Sequence, residues 1–423
     1  MRRACRLLSA LLSLLLLAGC AAPTEPSQET TIPTQPTLPE VIQTEPLPEV
    51  TLPQHEAVRI FHGYTVFVGQ KDRTDALTDD DVYSKLTIRS DETITVSSTD
   101  SISSLYFIWD TVPENYVIRW DGGSITCGAY GFLHDYVPLP QPVNQVEIVF
   151  PSGYDRTLCD LFGYTCGYAP ADVQVWQPPC EEADILVFPT HADDDAIFFG
   201  ALIAYYAIER ELAVQTAFMV DHWREPHRAH ERLNGLWAMG IRNYPILGTA
   251  PDTGTYDFRD AMYIYSSSNI LQWQVDLIRR FRPLVVVGHD LEGEYGNGGH
   301  KVNAHFLTQA IHAAKDPLQF PVSAKTYGTW ETPKLYLHLY RENELFLDVT
   351  TPMEKDPLGR SPFEAAEDGF AAHVSQGRWA TVQYDGDPDY DCRRFGLYYT
   401  AVGPDTTADI MEHIVISYWR NNH

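Results

Sequence analysis

Val187-Phe188-Pro189-Thr190-His191-Ala192-Asp193-Asp194-Asp195 is an apolar strand that runs straight into polar residues. A second stretch, Val287-Gly288-His289-Asp290-Leu291-Glu292-Gly293-Glu294-Tyr295-Gly296, does the same, and His300 follows at a helix start. In an open α/β sheet, residues so placed lie at the carboxyl ends of neighbouring strands, where ligands bind. Two imidazoles and a carboxylate meeting there make a three-ligand set for zinc, with the fourth position left to water. A further carboxylate beside them is placed to activate that water. Taken alone, His-x-Asp-Asp is a weak signal, because acidic runs also cap helices, and Asp195 suits that role. Three adjacent carboxylates repel one another, which a cation among them relieves.

The same pattern continues on both sides of this stretch. After Pro178-Pro179-Cys180, strands at 183–189, 214–220, 244–247, 283–288 and 334–340 alternate with helices at 196–210, 226–239, 270–281, 302–314 and 363–375. Such alternation predicts an α/β fold, a Rossmann-like and mainly parallel sheet with helices on both faces, spanning 181–423. No GxGxxG follows the first strand, so no nucleotide cofactor is expected. Residues 57–180 read differently. Val58-Arg59-Ile60-Phe61, Leu105-Tyr106-Phe107-Ile108-Trp109, Tyr116-Val117-Ile118-Arg119-Trp120 and Val146-Glu147-Ile148-Val149-Phe150 are β-rich, and Asp121-Gly122-Gly123 marks a turn. An antiparallel β-sandwich is expected, either a candidate carbohydrate-binding module or a spacer. Trp109, Trp120 and Tyr130 serve as sugar platforms on the first reading and as core on the second.

The first 20 residues read as a targeting segment. Arg2, Arg3 and Arg6 precede the apolar run 7–17, and Leu17-Ala18-Gly19-Cys20 resembles the lipobox of bacterial lipoproteins. An ordinary secretory signal with an incidental cysteine is the rival, and both imply export. Residues 21–56 hold eight prolines and no Lys or Arg, the composition of an unfolded stalk. At about 3.1 Å per residue it reaches roughly 100 Å. The expected location is the cell membrane, lipid-anchored through Cys20 and facing outward. The formal charge of −27 disfavours nucleic acid as a partner. Five cysteines remain beyond the signal, with Cys159 and Cys166 the nearest pair for a disulfide.

The motifs carry a family resemblance. His191-Ala192-Asp193-Asp194-Asp195 is similar to the AHPDDE motif of the PIG-L (LmbE-like) N-acetylglucosamine de-N-acetylases. Tyr295-Gly296-Asn297-Gly298-Gly299-His300 resembles their YGHPDH motif. Arg228-Ala229-His230-Glu231 and Ala372-His373-Val374-Ser375-Gln376 resemble two further segments, and the four occur in family order. The resemblance implies that His191, Asp194 and His300 hold Zn2+ or another divalent ion. It implies that Asp193 is the general base, and that Arg228, Asp252 and Tyr295 bind an N-acetylated sugar or glycan. The implied activity is amide hydrolysis releasing acetate.

Three positions depart from the motifs. Ala192 stands for proline and Asp195 for glutamate. Asn297 stands for the histidine that stabilises the oxyanion, and an amide can donate a hydrogen bond but deliver no proton. On this reading Asn297 is the oxyanion donor and Asp193 shuttles the proton, with His289 and His373 as substitutes if either points into the pocket. The rival is a surface glycan-binding lipoprotein that has lost catalysis. His227 and His230, three apart on a helix, are spaced to share a metal, but no acid cluster flanks them, so they read as a solvated face.

Overall fold

Two sheets carry the chain, one antiparallel and one mixed, in a computed structural model that describes residues 55–422 except 152, 223, 267 and 268. The lipobox with Cys20, the rest of the signal and nearly all of the 21–56 stalk lie outside the described residues. No helix among the described residues is long and apolar enough to cross a membrane.

The antiparallel sheet comprises Thr65–Val68 (β1), Lys71–Asp72 (β2), Leu86–Ile88 (β3), Ile94–Trp109 (β4), Tyr116–Trp120 (β5), Gly123–Cys127 (β6), His134–Val149 (β7) and Arg156–Tyr164 (β8). All eight strands belong to one hydrogen-bonded sheet, not to two separate ones. The 16-residue strands β4 and β7 pair along both halves, with a register break between Ser97 and Ser104. One half of β4 pairs with β1, the other with β8. Leu105, Phe107 and Trp109 fill the inner core, while Tyr106 and Ile108 on the opposite face pack with Phe162 and Val173. Trp109 is therefore core, and Tyr130 is exposed. The expected strand at 58–61 does not form. Its Arg59 makes one isolated bridge to Tyr164, and Val58 and Phe61 are 62% and 68% exposed.

The second sheet orders its strands as Ile246–Pro251 (β11), Val214–Asp221 (β10), Ile185–Val187 (β9), Val285–Gly288 (β12), Lys334–His338 (β13), Arg394–Thr400 (β15) and Glu344–Phe346 (β14). The first five are mutually parallel, and β15 runs antiparallel to both its neighbours, β13 and β14, so the sheet is mixed in a way that the periodicity did not reveal. Central strands β9 and β12 are buried along their whole length, as expected where both faces are covered. They pair Val187 with Val287, so the loops leaving them emerge side by side. From β9 the chain builds outward through β10 to β11, then returns to the other side of β9 as β12. That reversal opens a crevice at their carboxyl ends.

Nine helices accompany the sheets among the described residues: Asp194–Ile197 (α1), Gly200–Ala204 (α2), His227–Ala238 (α3), Phe258–Ile264 (α4), Ile270–Phe281 (α5), Gly298–Ala313 (α6), Pro321–Tyr327 (α7), Pro362–Ala371 (α8) and Ile416–Asn422 (α9). The single helix expected at 196–210 is broken into α1, α2 and a π turn at Tyr205–Glu209. Gly200 explains the close packing of α2 on α8: a Cβ there would lie 2.8 Å from the Ala366 Cβ. Helix α8 ends at Ala371, so His373 and Ser375 sit in the following turn. Both sheets lie within one compact unit. All five cysteines in the described residues are free, including Cys159 and Cys166, the nearest pair in the sequence.

Candidate functional site

The loop after β9 and the start of α6 bring three side chains together. His191 Nδ1, Asp194 Oδ2 and His300 Nε2 form a triangle with sides of 3.2, 3.2 and 3.3 Å. All three residues are buried. Asp194 opens α1, and its Oδ2 accepts from the backbone N–H of His191 at 2.7 Å and of Thr190 at 3.2 Å. Burial works to raise this carboxyl, but His300 and His191 outweigh it and hold Asp194 well below the usual carboxylate range. A tetrahedral ion with ligand bonds of about 2.0–2.1 Å spaces its ligand atoms about 3.3 Å apart. The triangle has the size of one face of such a shell, so the residues fit a divalent ion.

A buried carboxylate stands behind the triangle. Glu294 Oε2 accepts from Nδ1 of His300 and of His289, each at 2.8 Å, and Oε1 accepts from His338 Nδ1 at 2.8 Å. An ionised carboxylate only accepts, so His300 carries hydrogen on Nδ1 and its Nε2 faces the triangle. His289 stacks on His300 with ring centroids 4.0 Å apart and takes the Thr190 N–H on Nε2 at 3.0 Å. Reasoning from sequence placed Glu294 and His289 near the site but gave them no such task, and it missed His338 altogether. The Glu294–His300 spacing of six residues crosses a loop, where no helical or strand period applies.

Asp193 borders the triangle without forming a corner. Its backbone is strained, with φ 153° and ψ −30°. Its N–H is held by Asp195 Oδ1 at 3.1 Å. Burial and the neighbouring Asp194 push its carboxyl up to about 7, against the pull of Arg228 and the imidazoles. Arg228, on α3, places Nη2 3.3 Å from Asp193 Oδ1 and donates to the Ala192 carbonyl at 2.6 Å. Its Nη1 reaches Asp252 Oδ2 at 3.3 Å. His222, a residue the motifs did not flag, links the same parts: its Nδ1 donates to Asp252 Oδ2 and its Nε2 accepts from the Ala192 N–H, both at 3.0 Å. This hydrogen bond from His222 outweighs burial and lowers Asp252 to about 2. A cleft of about 340 Å³ opens here, lined in part by His222, Glu225 and Asp252.

Asn297 is held at both ends. Its Oδ1 caps α6 by accepting from the N–H of Gly299 at 2.8 Å and of His300 at 3.3 Å, and its Nδ2 donates to the Tyr295 hydroxyl at 3.2 Å. Tyr295 has φ 45°, sets its ring edge-on to His300 at 5.5 Å and stacks on Tyr390 at 5.7 Å. Neither substitute acid faces solvent, since His289 and His373 are both fully buried. His373 lies 3.9 Å from Asp195, behind the site, and burial drives it down to about 3. His230 does not belong to a solvated face. It is 1% exposed and meets His134 of β7 at 2.9 Å.

Residues 186–311 match the PIG-L family model, described as GlcNAc-PI de-N-acetylase. A 1D-myo-inositol 2-acetamido-2-deoxy-alpha-D-glucopyranoside deacetylase of Mycobacterium leprae is 28% identical over 188 residues, which are 38% of this chain and 61% of that protein. The match thus spans less than two thirds of that relative. A Thermobifida fusca protein of the same description is 27% identical over 246 residues, 50% of this chain and 80% of its own length. Among solved structures, the N,N'-diacetylchitobiose deacetylase of Pyrococcus horikoshii aligns with a TM-score of 0.36 and 16% identity, over 47% of this chain and 73% of that one.

Proposed function

We propose that this chain is a metal-dependent hydrolase that removes the acetyl group from an N-acetylated sugar or glycan of the N-acetylglucosamine type. The observation that carries this reading is the equilateral triangle of His191, Asp194 and His300 with Asp193 as a spare carboxylate at its border. The PIG-L match over 186–311 and the deacetylase relatives support it. His191, Asp194 and His300 are the proposed ligands, and Zn2+ the proposed ion, with other divalent ions able to use the same donors. Such an ion supplies a Lewis acid that activates water and polarises the amide carbonyl.

The remaining steps fall to the chain itself. Asp193 takes the proton from the attacking water and returns it to the departing nitrogen, which leaves as a free amine beside acetate. Arg228 fixes the Asp193 carboxylate, and with Asp252 offers donors and acceptors to sugar hydroxyls. His222 holds Asp252 in place. Tyr295 presents an aromatic edge to the sugar, and the second Asn297 amide hydrogen is available to the oxyanion.

We assign residues 1–20 to an export signal ending at a lipidated Cys20, 21–56 to a stalk, 57–180 to a candidate glycan-binding part and 181–423 to the catalytic part, outside the cell. The second reading, a glycan-binding lipoprotein without turnover, is favoured by one feature: Asn297, held as the cap of α6, can deliver no proton to a leaving nitrogen. Acetate release from a panel of N-acetylated mono- and oligosaccharides, with metal content measured on the same sample, decides between them. Acetate from at least one sugar, abolished by chelation and restored by Zn2+, is the expected result. A fully loaded protein that releases none from any sugar overturns the hydrolase reading and leaves the binding one.

A further inference from the structure

A second group of metal-ligating side chains lies away from the cleft, where the antiparallel sheet meets α3. Cys159 of β8, Asp110 just past β4 and His230 of α3 bring one donor atom each to within 4.8 Å of one another. Cys159 and His230 are buried, and the Asp110 side chain is 10% exposed.

A hydrogen-bond chain fixes which nitrogen of His230 is left free to bind. Trp176 Nε1 can only donate, and it donates to Gln174 Oε1 at 2.9 Å. That oxygen is therefore an acceptor, and the amide nitrogen of Gln174 donates to Asn234 Oδ1 at 2.6 Å. His134 Nδ1, 2.7 Å from the same Gln174 oxygen, must carry hydrogen. In a neutral ring its Nε2 is then a lone pair, so it accepts from His230 Nδ1–H at 2.9 Å. His230 is left with its Nε2 lone pair, which is buried and has no hydrogen-bond partner among the described residues. A histidine that donates through one nitrogen and offers the other is the arrangement seen behind metal-bound imidazoles.

We propose that Asp110, Cys159 and His230 form a second metal site, for a borderline-soft divalent cation of the Zn2+ class, that ties the antiparallel sheet to α3. Thiolate, imidazole and carboxylate together suit such an ion and not Mg2+ or Ca2+. Binding replaces the Cys159 thiol hydrogen, which here points to the Val82 carbonyl at 3.4 Å, and releases it as a proton. Lys85 holds Asp110 Oδ1 at 2.7 Å and leaves Oδ2 for the ion, and water completes the shell from the open Lys85 side. The site stands independently of the hydrolase reading, because it shares no ligand with the triangle at His191.

The test loads the chain with Co2+ under reducing conditions and reads metal per chain together with the near-ultraviolet thiolate-to-cobalt band. Two equivalents and a thiolate band are expected. Cys159→Ser should abolish the band and remove one equivalent. Asp110→Asn, at the more exposed edge with the thiol intact, should weaken retention of that equivalent against a chelator by at least 10-fold. His191→Ala should remove the other equivalent and leave the band in place, which separates failure of this site from failure of the catalytic reading. A wild-type protein with its thiols reduced that shows no thiolate band overturns the proposal without recourse to any variant. So does a band that survives in folded Cys159→Ser.

Discussion

Asp193 combines three properties seldom found together: a strained backbone, burial, and a carboxyl pushed up to about 7 beside an arginine. Strain of this kind persists only where surroundings impose it, here through Asp195 and Arg228. Asp193→Asn keeps the shape and removes the proton acceptor. Acetate release should fall by about 10²–10⁴-fold with metal content unchanged. Wild-type turnover in that variant, once metal-loaded, would remove Asp193 from the mechanism. Glu294 acts one step further back, through the Nδ1 of His300. Glu294→Gln retains the volume but loses the negative charge that three imidazoles share. Competition with a chelator should show metal affinity lowered by about 10–100-fold. An unchanged affinity would mean that the tautomer of His300 is set by other contacts.

At the scale of elements, α3 does more than its sequence declared. Its apolar spacing predicted the helix, and Arg228 was legible as a site residue from the motif. His230 was not, because a histidine on a helix signals burial only when its partner is known, and His134 lies 96 residues away in the other sheet. Strands β9 and β12 were legible because both are continuous apolar runs ending in polar clusters. Strands β14 and β15 were not: Glu344–Phe346 is three residues long, and in β15 the three consecutive residues Phe395, Gly396 and Leu397 are buried, which leaves no alternation to read. The run 58–61 misled for another reason: it does meet the end of β8, but only through the single bridge from Arg59 to Tyr164, too short a pairing to make a strand. The His134–His230 pair also carries a pH dependence. Burial lowers His134 to about 3 and His230 to about 4, while an unfolded chain takes up these protons near 6.5. Between those values the unfolded state binds more protons, so the pair's contribution is complete above about pH 6.5 and is lost as pH falls toward 4. In chelator-treated protein the urea midpoint should drop across that window. His134→Gln, which still offers an acceptor to His230, should flatten the drop. Equal slopes in the two proteins would place the acid sensitivity elsewhere.

For the molecule as a whole, export and anchoring rest on the first 20 residues, and their test is cellular. Cys20→Ser should move the protein from the membrane fraction to the soluble exported fraction while acetate release per chain is preserved. Retention in the membrane fraction would point to an anchor other than lipid on that cysteine. The full sequence has a formal charge of −27, and loss of the three arginines of the signal makes it more negative still, so the released protein should stay soluble. The joint between the two sheets also bears on how the site is held. Arg228 touches Asp193, the next residue back, His227, meets Tyr83 of the antiparallel part at 5.3 Å, and His230 is bonded into β7. The antiparallel part is thus packed directly on α3, not held on a tether. Any displacement of that part against α3 is therefore passed to the same helix that carries Arg228 to Asp193.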